Sequence, residues 1–344
     1  MIQIRFRENV PLAPFTTFHI GGPARYFAEA STEADITAAV LWAHDRQLPL
    51  FLLGGGSNLL VPDTGFPGLV LHITIPGIHS LGHGLFDVGA GESWDAFVSH
   101  AIAAGHAGIE CLAGIPGSVG GTPVQNVGAY GQEVSETITS VRAFDRHTQS
   151  FTDLPKQACN FRYRASLFNT DQPHRYIVTS VRFQLRPNAP PTLHYADLQR
   201  RFAAHPSPTL AEVASAVREI RQSKGMLITP GDPDCRSAGS FFKNPIIPTG
   251  RFQTLAAAHP GAEIPHWPAG PNLIKLPAAW LLERSGFVKG YGTGPAGISS
   301  RHTLALINRG HATFADIERL EAEIKAGVHA RFGITLEREP VLLA

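Results

Sequence analysis

The sequence predicts a protein of mixed α and β structure that folds into two or three domains. Its 344 residues exceed what one small core organises. Hydrophobic residues make up 43% of the chain and charged residues 17%, which is typical of a globular protein with a large core. The spacing of apolar residues indicates a β-α-β unit at the start, strands in the middle and mostly helices towards the end.

The predicted β-α-β unit begins with a short strand at residues 25–28. Ser31 or Thr32 can cap a helix that extends to about Gln47, because apolar residues recur there at helical spacing. Residues 50–53 form an apolar run that reads as a buried strand.

The remaining elements are predicted from the same two periodicities. Strands are expected near residues 69–73, 86–88, 138–144, 150–153 and 176–185. Helices are expected near residues 93–104, 210–222, 252–258, 277–285 and 313–331. Prolines at 187, 190 and 191 break the pattern, and a further boundary is expected near Lys224.

Charge and cysteine content exclude several classes of protein. The net charge of +1 argues against a general nucleic acid binder, although local anion sites remain open. Three widely spaced cysteines fit neither a disulfide framework nor a zinc knuckle, and the sixteen histidines show no metal-binding spacing. No secretory signal and no membrane helix are apparent. We therefore expect a cytoplasmic monomer with no metal site and with no nucleic acid or membrane partner.

A glycine-rich stretch at residues 108–131 is the most unusual part of the sequence. Its seven glycines alternate with small apolar residues, and Glu110 is its only charged residue. Glycine permits close approach of a ligand to the backbone, and successive free N–H groups can hold phosphate oxygens. An ordinary surface loop is the alternative. The length of the stretch and its lack of charge argue against that alternative.

A second glycine loop, at residues 54–58, directly follows the predicted strand at residues 50–53. Its backbone amides and the side chains of Ser57 and Asn58 can contact a pyrophosphate. Together the two glycine-rich segments favour one nucleotide held from two sides. Residues 292–297 also satisfy the pattern GxGxxG, but no apolar strand precedes them and no convincing helix follows. That third motif is predicted to be a loop.

Five short motifs occur in order along most of the chain. They are LGGGSNLL from Leu53, GIPGSVGGTPVQNVGAYG from Gly114, YRAS from Tyr163, GSFFKNP from Gly239 and LEREP from Leu336. In order and spacing they resemble the UDP-N-acetylenolpyruvoylglucosamine reductase family, the FAD- and NADPH-dependent enzymes of bacterial peptidoglycan synthesis. The resemblance implies an α+β protein with a two-part FAD-binding fold of the vanillyl-alcohol oxidase type and a C-terminal α/β substrate domain.

The resemblance also implies where these parts lie. Residues 1–76, completed by about 335–344, would form the N-terminal α/β part of the FAD-binding fold. Residues 77–224 would form the central FAD-binding domain, and residues 225–334 the substrate-binding domain.

The implied cofactors are FAD and, as reductant, NADPH. FAD is expected to be non-covalent, because residues 54–58 contain neither the His nor the Cys through which some relatives attach it. The implied FAD contacts are Gly54, Gly55, Gly56, Ser57, Asn58, Gly117, Ser118, Gly120, Gly121, Asn126, Gly128, Ala129 and Tyr130.

The implied reaction is the reduction of an enolpyruvyl ether. NADPH reduces bound FAD, the β-carbon of the substrate receives a hydride, and negative charge then builds on the α-carbon and its carboxylate. The resemblance assigns stabilisation of that charge to Arg164, whose planar guanidinium suits a carboxylate. It assigns proton delivery to Ser240, which requires a hydroxyl held close to a strongly basic carbanion. Without their motifs these two residues would read as a surface arginine and a turn serine.

Glu339 occupies the position of the family's catalytic glutamate. We hypothesise that it is protonated at the key step or that it orients the hydrogen bonds of the site. Strand alternation puts Glu337 on the same face as Glu339, so alternation cannot choose between them. The motif register favours Glu339.

The resemblance suggests Tyr195, Lys224 and Asn244 as contacts of the UDP-sugar substrate. Lys224 can pair with phosphate, Tyr195 can cover the nucleotide, and Asn244 can hydrogen-bond uracil or phosphate. The simpler interpretations are a solvated lysine and a tyrosine that packs. The longer segment between residues 224 and 236 also leaves the alignment of Lys224 open.

One departure from the family pattern concerns the residue after Glu339. Many members continue as Val-Arg, whereas this chain continues as Pro340-Val341, so an expected basic substrate contact is missing. Lys243, Lys275 or Arg301 could replace it. Two other functions stay open: an oxidase or dehydrogenase of the wider superfamily with a different substrate, and a non-catalytic module that binds FAD or a nucleotide sugar.

Overall fold

The computed structural model describes residues 4–261 and 263–343. Within these residues the chain forms seven α-helices, numbered α1 to α7 in chain order. They are Glu33–Asp45, Trp94–Ala103, Ala196–Arg201, Leu210–Ser223, Thr249–Ala258, Ala278–Arg284 and Phe314–Phe332.

The strands of the described residues are numbered β1 to β20 in the same way. They are Arg7–Pro11, Pro23–Ala30, Leu50–Leu53, Leu59–Leu60, Phe66–Ile73, Ile78–Gly82, Leu85–Gly89, His106–Ala107, Gly128–Ala129, Gln132–Glu133, Ile138–Asp145, Ser150–Pro155, Tyr176–Gln184, Arg186–Pro187, Ile246–Pro248, Trp267–Pro268, Leu273–Lys275, Ala296–Ile298, Leu306–Asn308 and Val341–Leu342.

The chain divides into two compact units. The first unit contains the residues up to Pro11 together with Pro23–Gly56 and Phe66–Ser223, and the second contains Leu12–Gly22, Ser57–Gly65 and the residues from Lys224 onward. Each unit has its own buried apolar core. The three-part division into domains stays a prediction, since these units reflect packing and not function.

The first unit contains two large sheets, together with the antiparallel pairs β9-β10 and β8-β14. One has the strand order β1-β2-β5-β3, in which β1 is antiparallel to β2 while β2, β5 and β3 are parallel. The other is antiparallel with the order β12-β11-β13-β7-β6. The predicted β-α-β unit is confirmed as β2, α1 and β3. Thr32 begins α1 in a reciprocal capping box with Asp35, which satisfies backbone N–H groups at the helix start.

Most predicted elements of this unit agree with the structure to within a few residues. Helix α1 ends at Asp45 rather than at Gln47, whose φ of 52° lies in the left-handed region. Helix α3 was not predicted, because its six residues are too few for a helical period to be recognised.

The second unit contains helices α5 to α7 and three small β arrangements. These are the antiparallel sheet β15-β17-β16, the antiparallel pair β18-β19, and the parallel pair of β4 with β20. Helix α7 begins with a capping box of Thr313 and Asp316 and ends at Gly333, whose φ is 64°.

Residues 292–295 of the third glycine motif form the loop that was predicted, and its last two residues begin β18 and not a helix. The Arg309 guanidinium donates to the carbonyls of Gly290, Tyr291 and Gly294 at 3.0, 3.2 and 3.2 Å. The loop therefore directs carbonyl oxygens at a cation, which is the opposite polarity from a phosphate-binding loop.

Candidate active site

The two glycine loops predicted to hold one nucleotide lie against each other in the first unit. A β-carbon added at Gly55 would lie 2.6 Å from Cα of Gly117 and 2.8 Å from the backbone nitrogen of Ser118. One added at Gly54 would lie 2.7 Å from Oγ of Ser118. Only glycine allows backbones to come this close. The result is an uncharged cradle rich in backbone groups, which fits the pyrophosphate part of a dinucleotide.

The segment after Gly117 is fixed by backbone contacts. Val119 N–H donates to the Glu92 carbonyl at 2.8 Å, and Gly120 N–H donates to the Ala90 carbonyl at 2.9 Å. A β-carbon at Gly120 would lie 2.6 Å from Cβ of Ala90. These contacts attach the cradle to the loop between β7 and α2.

Asn126 stabilises the middle of the glycine-rich stretch with its side chain. It is 1% exposed, and its φ of 45° is in the left-handed region. Its Nδ2 donates to Glu133 Oε2 at 2.8 Å and to the Arg162 carbonyl at 3.2 Å, while its Oδ1 accepts from Ser135 N–H at 3.2 Å. Because the side-chain amide of Asn126 is hydrogen-bonded within the protein, Asn126 would contact FAD through its backbone.

Arg164 lies in a tight turn that is attached to the same stretch. Arg162 and Ala165 exchange backbone hydrogen bonds of 2.8 and 3.2 Å across the turn, and Arg164 has a φ of 54°. Its Nη2 donates to the Gly128 carbonyl at 3.1 Å. Ser166 Oγ, two residues later, donates to the Val124 carbonyl at 2.6 Å. A non-glycine residue in this backbone region is strained by about 1 kcal/mol, and such strain is common where a side chain is held for function.

Tyr195 lies beside Tyr130, the last implied FAD contact. Their ring centroids are 5.3 Å apart at an interplanar angle of 87°, an edge-to-face contact. Burial raises the pKa of both phenols, so both stay protonated at neutral pH. Tyr195 nevertheless remains 37% exposed. It therefore packs on one side and presents part of its ring to solvent, which leaves both predicted roles open.

Three residues that hold the start of the GIPG motif were missed in the sequence. Arg221 Nε donates to the Gly114 carbonyl at 3.0 Å, and Gly114 N–H donates to Asp95 Oδ1 at 2.6 Å. The same Asp95 oxygen accepts from Arg218 Nη2 at 2.6 Å. Arg221 also hydrogen-bonds Tyr130. The two arginines lie three residues apart on α4, so the polar edge of this amphipathic helix was the available signal.

In the second unit, Ser240 and Glu339 lie on adjacent antiparallel segments. Glu339 N–H donates to the Phe241 carbonyl at 2.9 Å, and Lys243 N–H donates to the Glu337 carbonyl at 3.0 Å. On its other side Phe241 N–H donates to the Leu304 carbonyl at 2.8 Å. Two motifs that lie about 100 residues apart in sequence are thus brought together.

The exposure of Glu337 and Glu339 differs. The Glu337 side chain is 76% exposed and lies 3.5 Å from Lys243 Nζ, whereas Glu339 is half-buried. Asn58 Nδ2 donates to the Glu339 carbonyl at 3.3 Å, and Val341 N–H donates to the Asn58 carbonyl at 2.9 Å. The Asn58 side chain, an implied FAD contact, therefore holds the backbone of Glu339 within this unit.

The implied substrate contacts of the second unit are Lys224 and Asn244. Lys224 is half-buried at the start of the continuous part of the unit. Asn244 Oδ1 accepts from the Ala278 N–H at 2.9 Å, at the start of α6.

Three basic residues were suggested as replacements for the substrate contact missing after Glu339, and each of them interacts with another side chain of the protein. Arg301 binds Asp234, with Nε 2.9 Å from Oδ2, and also binds Asp232. Lys243 faces Glu337, and Lys275 Nζ lies 6.0 Å from the centroid of the Trp267 ring. The carboxylate partners of Arg301 and Lys243 would compete with a substrate anion for these two side chains.

The described residues lack two kinds of feature. Residues 4–261 and 263–343 contain no group of three or more His, Cys, Asp or Glu side chains that could hold a metal ion. In the same part of the chain, no helix has the length and apolar character required to span a membrane.

Two family models match the chain. Residues 24–149 match the model described as "FAD binding domain". Residues 232–343 match the model described as "UDP-N-acetylenolpyruvoylglucosamine reductase, C-terminal domain". The first match contains both glycine segments, and the second contains Ser240 and Glu339.

Curated relatives match over nearly the full chain. A UDP-N-acetylenolpyruvoylglucosamine reductase of Streptomyces avermitilis is 47% identical, covering 99% of this chain and 96% of its own. That of Streptomyces coelicolor is 48% identical, covering 97% and 89%. That of Chromobacterium violaceum is 39% identical, covering 99% and 100%.

A solved structure matches as well. The UDP-N-acetylenolpyruvylglucosamine reductase of Thermus caldophilus is 26% identical with a TM-score of 0.69, covering 99% of this chain and 100% of its own. The predicted fold class is confirmed as an α+β protein with an FAD-binding domain and the C-terminal domain of the UDP-N-acetylenolpyruvoylglucosamine reductase family.

Proposed function

The chain belongs to the UDP-N-acetylenolpyruvoylglucosamine reductase family, and on that basis we propose which of its residues perform the reaction. It is an FAD-containing oxidoreductase that uses NADPH to reduce UDP-N-acetylenolpyruvoylglucosamine to UDP-N-acetylmuramate, a step of peptidoglycan synthesis. The main supporting observation for the residue roles is the backbone hydrogen bond from Glu339 to Phe241, the neighbour of Ser240.

FAD is held by the two glycine segments of the first unit and the residues that continue them. Gly54 to Gly56, Gly117 and Ser118 offer backbone N–H groups to the pyrophosphate, whereas Gly120 and Gly121, whose N–H groups bind the Ala90 and Ser118 carbonyls, line the cradle with their backbone. Gly128, Ala129 and Tyr130 approach the ring system with the backbone. When bound, FAD supplies the hydride transfer between NADPH and the substrate.

Arg164 binds the carboxylate of the substrate and stabilises the negative charge that builds on it. Its guanidinium stays charged at any working pH and offers parallel N–H donors. The strained turn and the hydrogen bond to the Gly128 carbonyl support this role, since they hold the side chain before substrate arrives. Such preorganisation avoids a rearrangement during the reaction.

Ser240 donates the proton that the α-carbon requires. A hydroxyl is a weak acid, so its contribution depends on close positioning against a strongly basic carbanion. Positive φ at Gly239 and hydrogen bonds on both sides of Phe241 restrict the backbone at Ser240. After transfer, a proton returns to the oxygen from solvent.

Glu339 acts beside Ser240, as a protonated acid or by orienting its hydrogen bonds. Half-burial favours Glu339 over the exposed Glu337. Tyr195, Lys224 and Asn244 bind the UDP-sugar, with Tyr195 contributing a partly exposed ring and Lys224 a positive charge. Lys243, Lys275 and Arg301 are the candidates for the basic contact missing after Glu339.

The protein works as a cytoplasmic monomer in this proposal. NADPH and nucleotide-sugar substrates are cytoplasmic metabolites, and Cys111, Cys159 and Cys235 are free thiols, as a reducing compartment requires. Sedimentation of the purified protein with FAD tests the monomer, because a mass near twice 37.0 kDa would contradict it.

The deciding experiment is NADPH consumption by the purified protein. Loaded with FAD, it should oxidise NADPH rapidly when UDP-N-acetylenolpyruvoylglucosamine is present, and slowly with UDP-N-acetylglucosamine, which lacks the enolpyruvyl group. A protein that stays colourless after FAD is added, or equal rates with both sugars, would contradict the proposed function.

A further inference from the structure

Glu110, the only charged residue of the glycine-rich stretch, is completely buried. Its Oε2 accepts from the Gly108 N–H at 2.6 Å, and its Oε1 accepts from Gln132 Nε2 at 2.9 Å and from the Thr192 N–H at 3.0 Å. Burial of a carboxylate is costly unless hydrogen bonds replace its water. Three N–H donors fulfil that requirement here.

These donors belong to segments that matter to the proposed site. Gly108 begins the glycine-rich stretch, Gln132 directly follows its last residue, and Thr192 precedes Tyr195 by three residues. One carboxylate therefore ties both ends of the stretch to each other and to the segment that carries Tyr195.

Thr192 is attached by two further hydrogen bonds. Cys111 Sγ donates to the Thr192 carbonyl at 3.4 Å, and Arg186 Nη2 donates to Thr192 Oγ1 at 2.9 Å. Burial raises the pKa of the Cys111 thiol to about 12, so the thiol keeps its proton and remains a donor. The base of the Tyr195 segment is thus fixed on its N–H, its carbonyl and its side chain.

The segment beyond Thr192 packs closely on the end of the glycine-rich stretch. A β-carbon at Gly131 would lie 3.0 Å from Cβ of His194 and 3.4 Å from the backbone nitrogen of Tyr195. Together with the contact between the Tyr130 and Tyr195 rings, this makes the position of Tyr195 depend on where Thr192 is held.

We infer that Glu110 is a positioning residue for substrate binding, which holds Thr192 and thereby sets Tyr195 against Tyr130. The inference rests on the proposed role of Tyr195 in binding the UDP-sugar. Glu110 does not touch the substrate. Its loss should weaken substrate binding more than it affects turnover or the use of NADPH.

A comparison of Glu110→Gln with Asp145→Asn tests this inference. Asp145 is also a buried carboxylate of the first unit, but it binds Arg175 at the end of β11 and does not contact the Tyr195 segment. Glu110→Gln removes the negative charge and turns one of the two acceptor oxygens into a donor, so either the Gly108 bond or the Gln132 and Thr192 bonds are lost, and the bonds that remain are weaker because they are no longer charge-assisted. We expect about a tenfold rise in KM for UDP-N-acetylenolpyruvoylglucosamine, with kcat and KM for NADPH within about twofold.

Hydrogen exchange of the backbone gives a second readout. In Glu110→Gln the peptide containing residues 192–198 should exchange faster, and in Asp145→Asn it should not. The inference would be overturned if Glu110→Gln and Asp145→Asn raised the KM for NADPH and the KM for UDP-N-acetylenolpyruvoylglucosamine equally. Unchanged exchange at residues 192–198 in Glu110→Gln would overturn it as well.

Tyr195→Ala separates this inference from the proposed function. If Tyr195→Ala leaves the substrate KM unchanged, the proposed role of Tyr195 is wrong and the inference fails with it. If Tyr195→Ala raises KM while Glu110→Gln does not, only the inference fails. When both are correct, the double variant has the KM of Tyr195→Ala alone, because the two residues act through one contact. If Glu110→Gln does not fold, Glu110→Asp takes its place: it keeps the charge, but its side chain is one methylene shorter and cannot reach Gly108 and Thr192 together, so the substrate KM should rise, and an unchanged KM would overturn the inference.

Discussion

The glycine-rich stretch of the first unit and the Ser240 motif of the second are held in place by different means. Buried polar side chains hold the stretch: Glu110, Asn126 and Arg221 each bond to its backbone or to its immediate neighbours. Backbone hydrogen bonds hold residues 240–244, with Leu304 on one side and with Glu337 and Glu339 on the other.

This difference indicates where side-chain substitutions should act. Residues held by a backbone ladder keep their place when a side chain is changed, so substitutions at Ser240 or Glu339 should alter chemistry and leave stability nearly constant. Residues held by a few buried polar groups lose their place when one group is removed. Substitutions in the first unit should therefore reduce stability and FAD binding together.

The largest effect is expected for Ser240→Ala. Loss of the proton donor should reduce turnover by about 1,000-fold, because general acids contribute on that scale. NADPH should still bleach the absorbance of bound FAD, measured by stopped flow, while substrate should fail to restore it. The melting temperature should stay within about 2 °C of the parent protein. Normal restoration of the absorbance would remove Ser240 from its proposed role.

Glu339→Gln tests the second residue of the backbone-held site against its exposed neighbour. We expect kcat to fall by about 300-fold in Glu339→Gln and to stay unchanged in Glu337→Gln. Steady-state kinetics of both variants provides the measurement. The assignment would be reversed if Glu337→Gln were the slower variant.

Asn126→Ala should destabilise the side-chain-held unit. Removal of the amide leaves Ser135 N–H without its acceptor and takes a donor from Glu133 Oε2 and from the Arg162 carbonyl, at a cost of about 3 kcal/mol in the free energy of unfolding. Asn160→Ala is the control. Asn160 has a similar φ of 47° but is exposed, so its loss should cost less than about 1 kcal/mol. Urea unfolding measures both free energies. Equal losses in Asn126→Ala and Asn160→Ala would contradict the distinction between a buried, bonded asparagine and an exposed one.

Gly55→Ala tests the contact between the two glycine loops. A β-carbon 2.6 Å from Cα of Gly117 forces one backbone to move, which should lower the unfolding free energy by about 2 kcal/mol and weaken FAD binding. Gly250→Ala is the control, because nothing lies within 4 Å of a β-carbon there and alanine favours helix α5. FAD titration of both variants measures the effect. Unchanged FAD affinity in Gly55→Ala would argue against the cradle.

The smallest effect concerns acid stability of the first unit. The Arg175 guanidinium holds the pKa of Asp145 at about 2, below its ordinary value of 3.8. Because the folded pKa is the lower one, the stabilisation is complete above about pH 4 and is lost as the pH falls towards 2. Asp145→Asn should have a lower free energy of unfolding than the parent protein at neutral pH. Between about pH 4 and pH 2 it should lose less of that free energy than the parent protein does. Urea unfolding between pH 2 and 6 is the measurement, and parallel curves would contradict it.

Local sequence patterns predicted most of the helices and strands, and they predicted that the two glycine loops lie together. Capping residues and apolar periods are local signals, and a glycine loop after strand β3 follows from the β-α-β pattern. The partner of Asn58 could not be predicted in the same way. Its position after three glycines suggested a phosphate contact, whereas its side chain reaches Glu339, which lies 281 residues further along the chain.

The sequence also did not predict the division into two units. Leu12–Gly22 and Ser57–Gly65 belong to the second unit, although both are short and rich in turn residues and look locally like ordinary connections. Only long-range packing decides which core such a segment joins. The roles of Glu110 and Arg221 were hidden for the same reason, since Thr192 lies 82 residues from Glu110 and Gly114 lies 107 residues from Arg221.

The parallel pairing of β4 with β20 has a consequence for how the protein folds. To bring Leu59 beside Val341 the chain must close a loop of about 280 residues, which costs about 5 kcal/mol of chain entropy by the logarithmic rule. Contacts of such separation form late, after local strands and helices have reduced the effective loop. During refolding from urea, tight packing around the cradle should therefore precede the arrival of Glu339. Recovery of catalysis should then lag behind recovery of FAD binding.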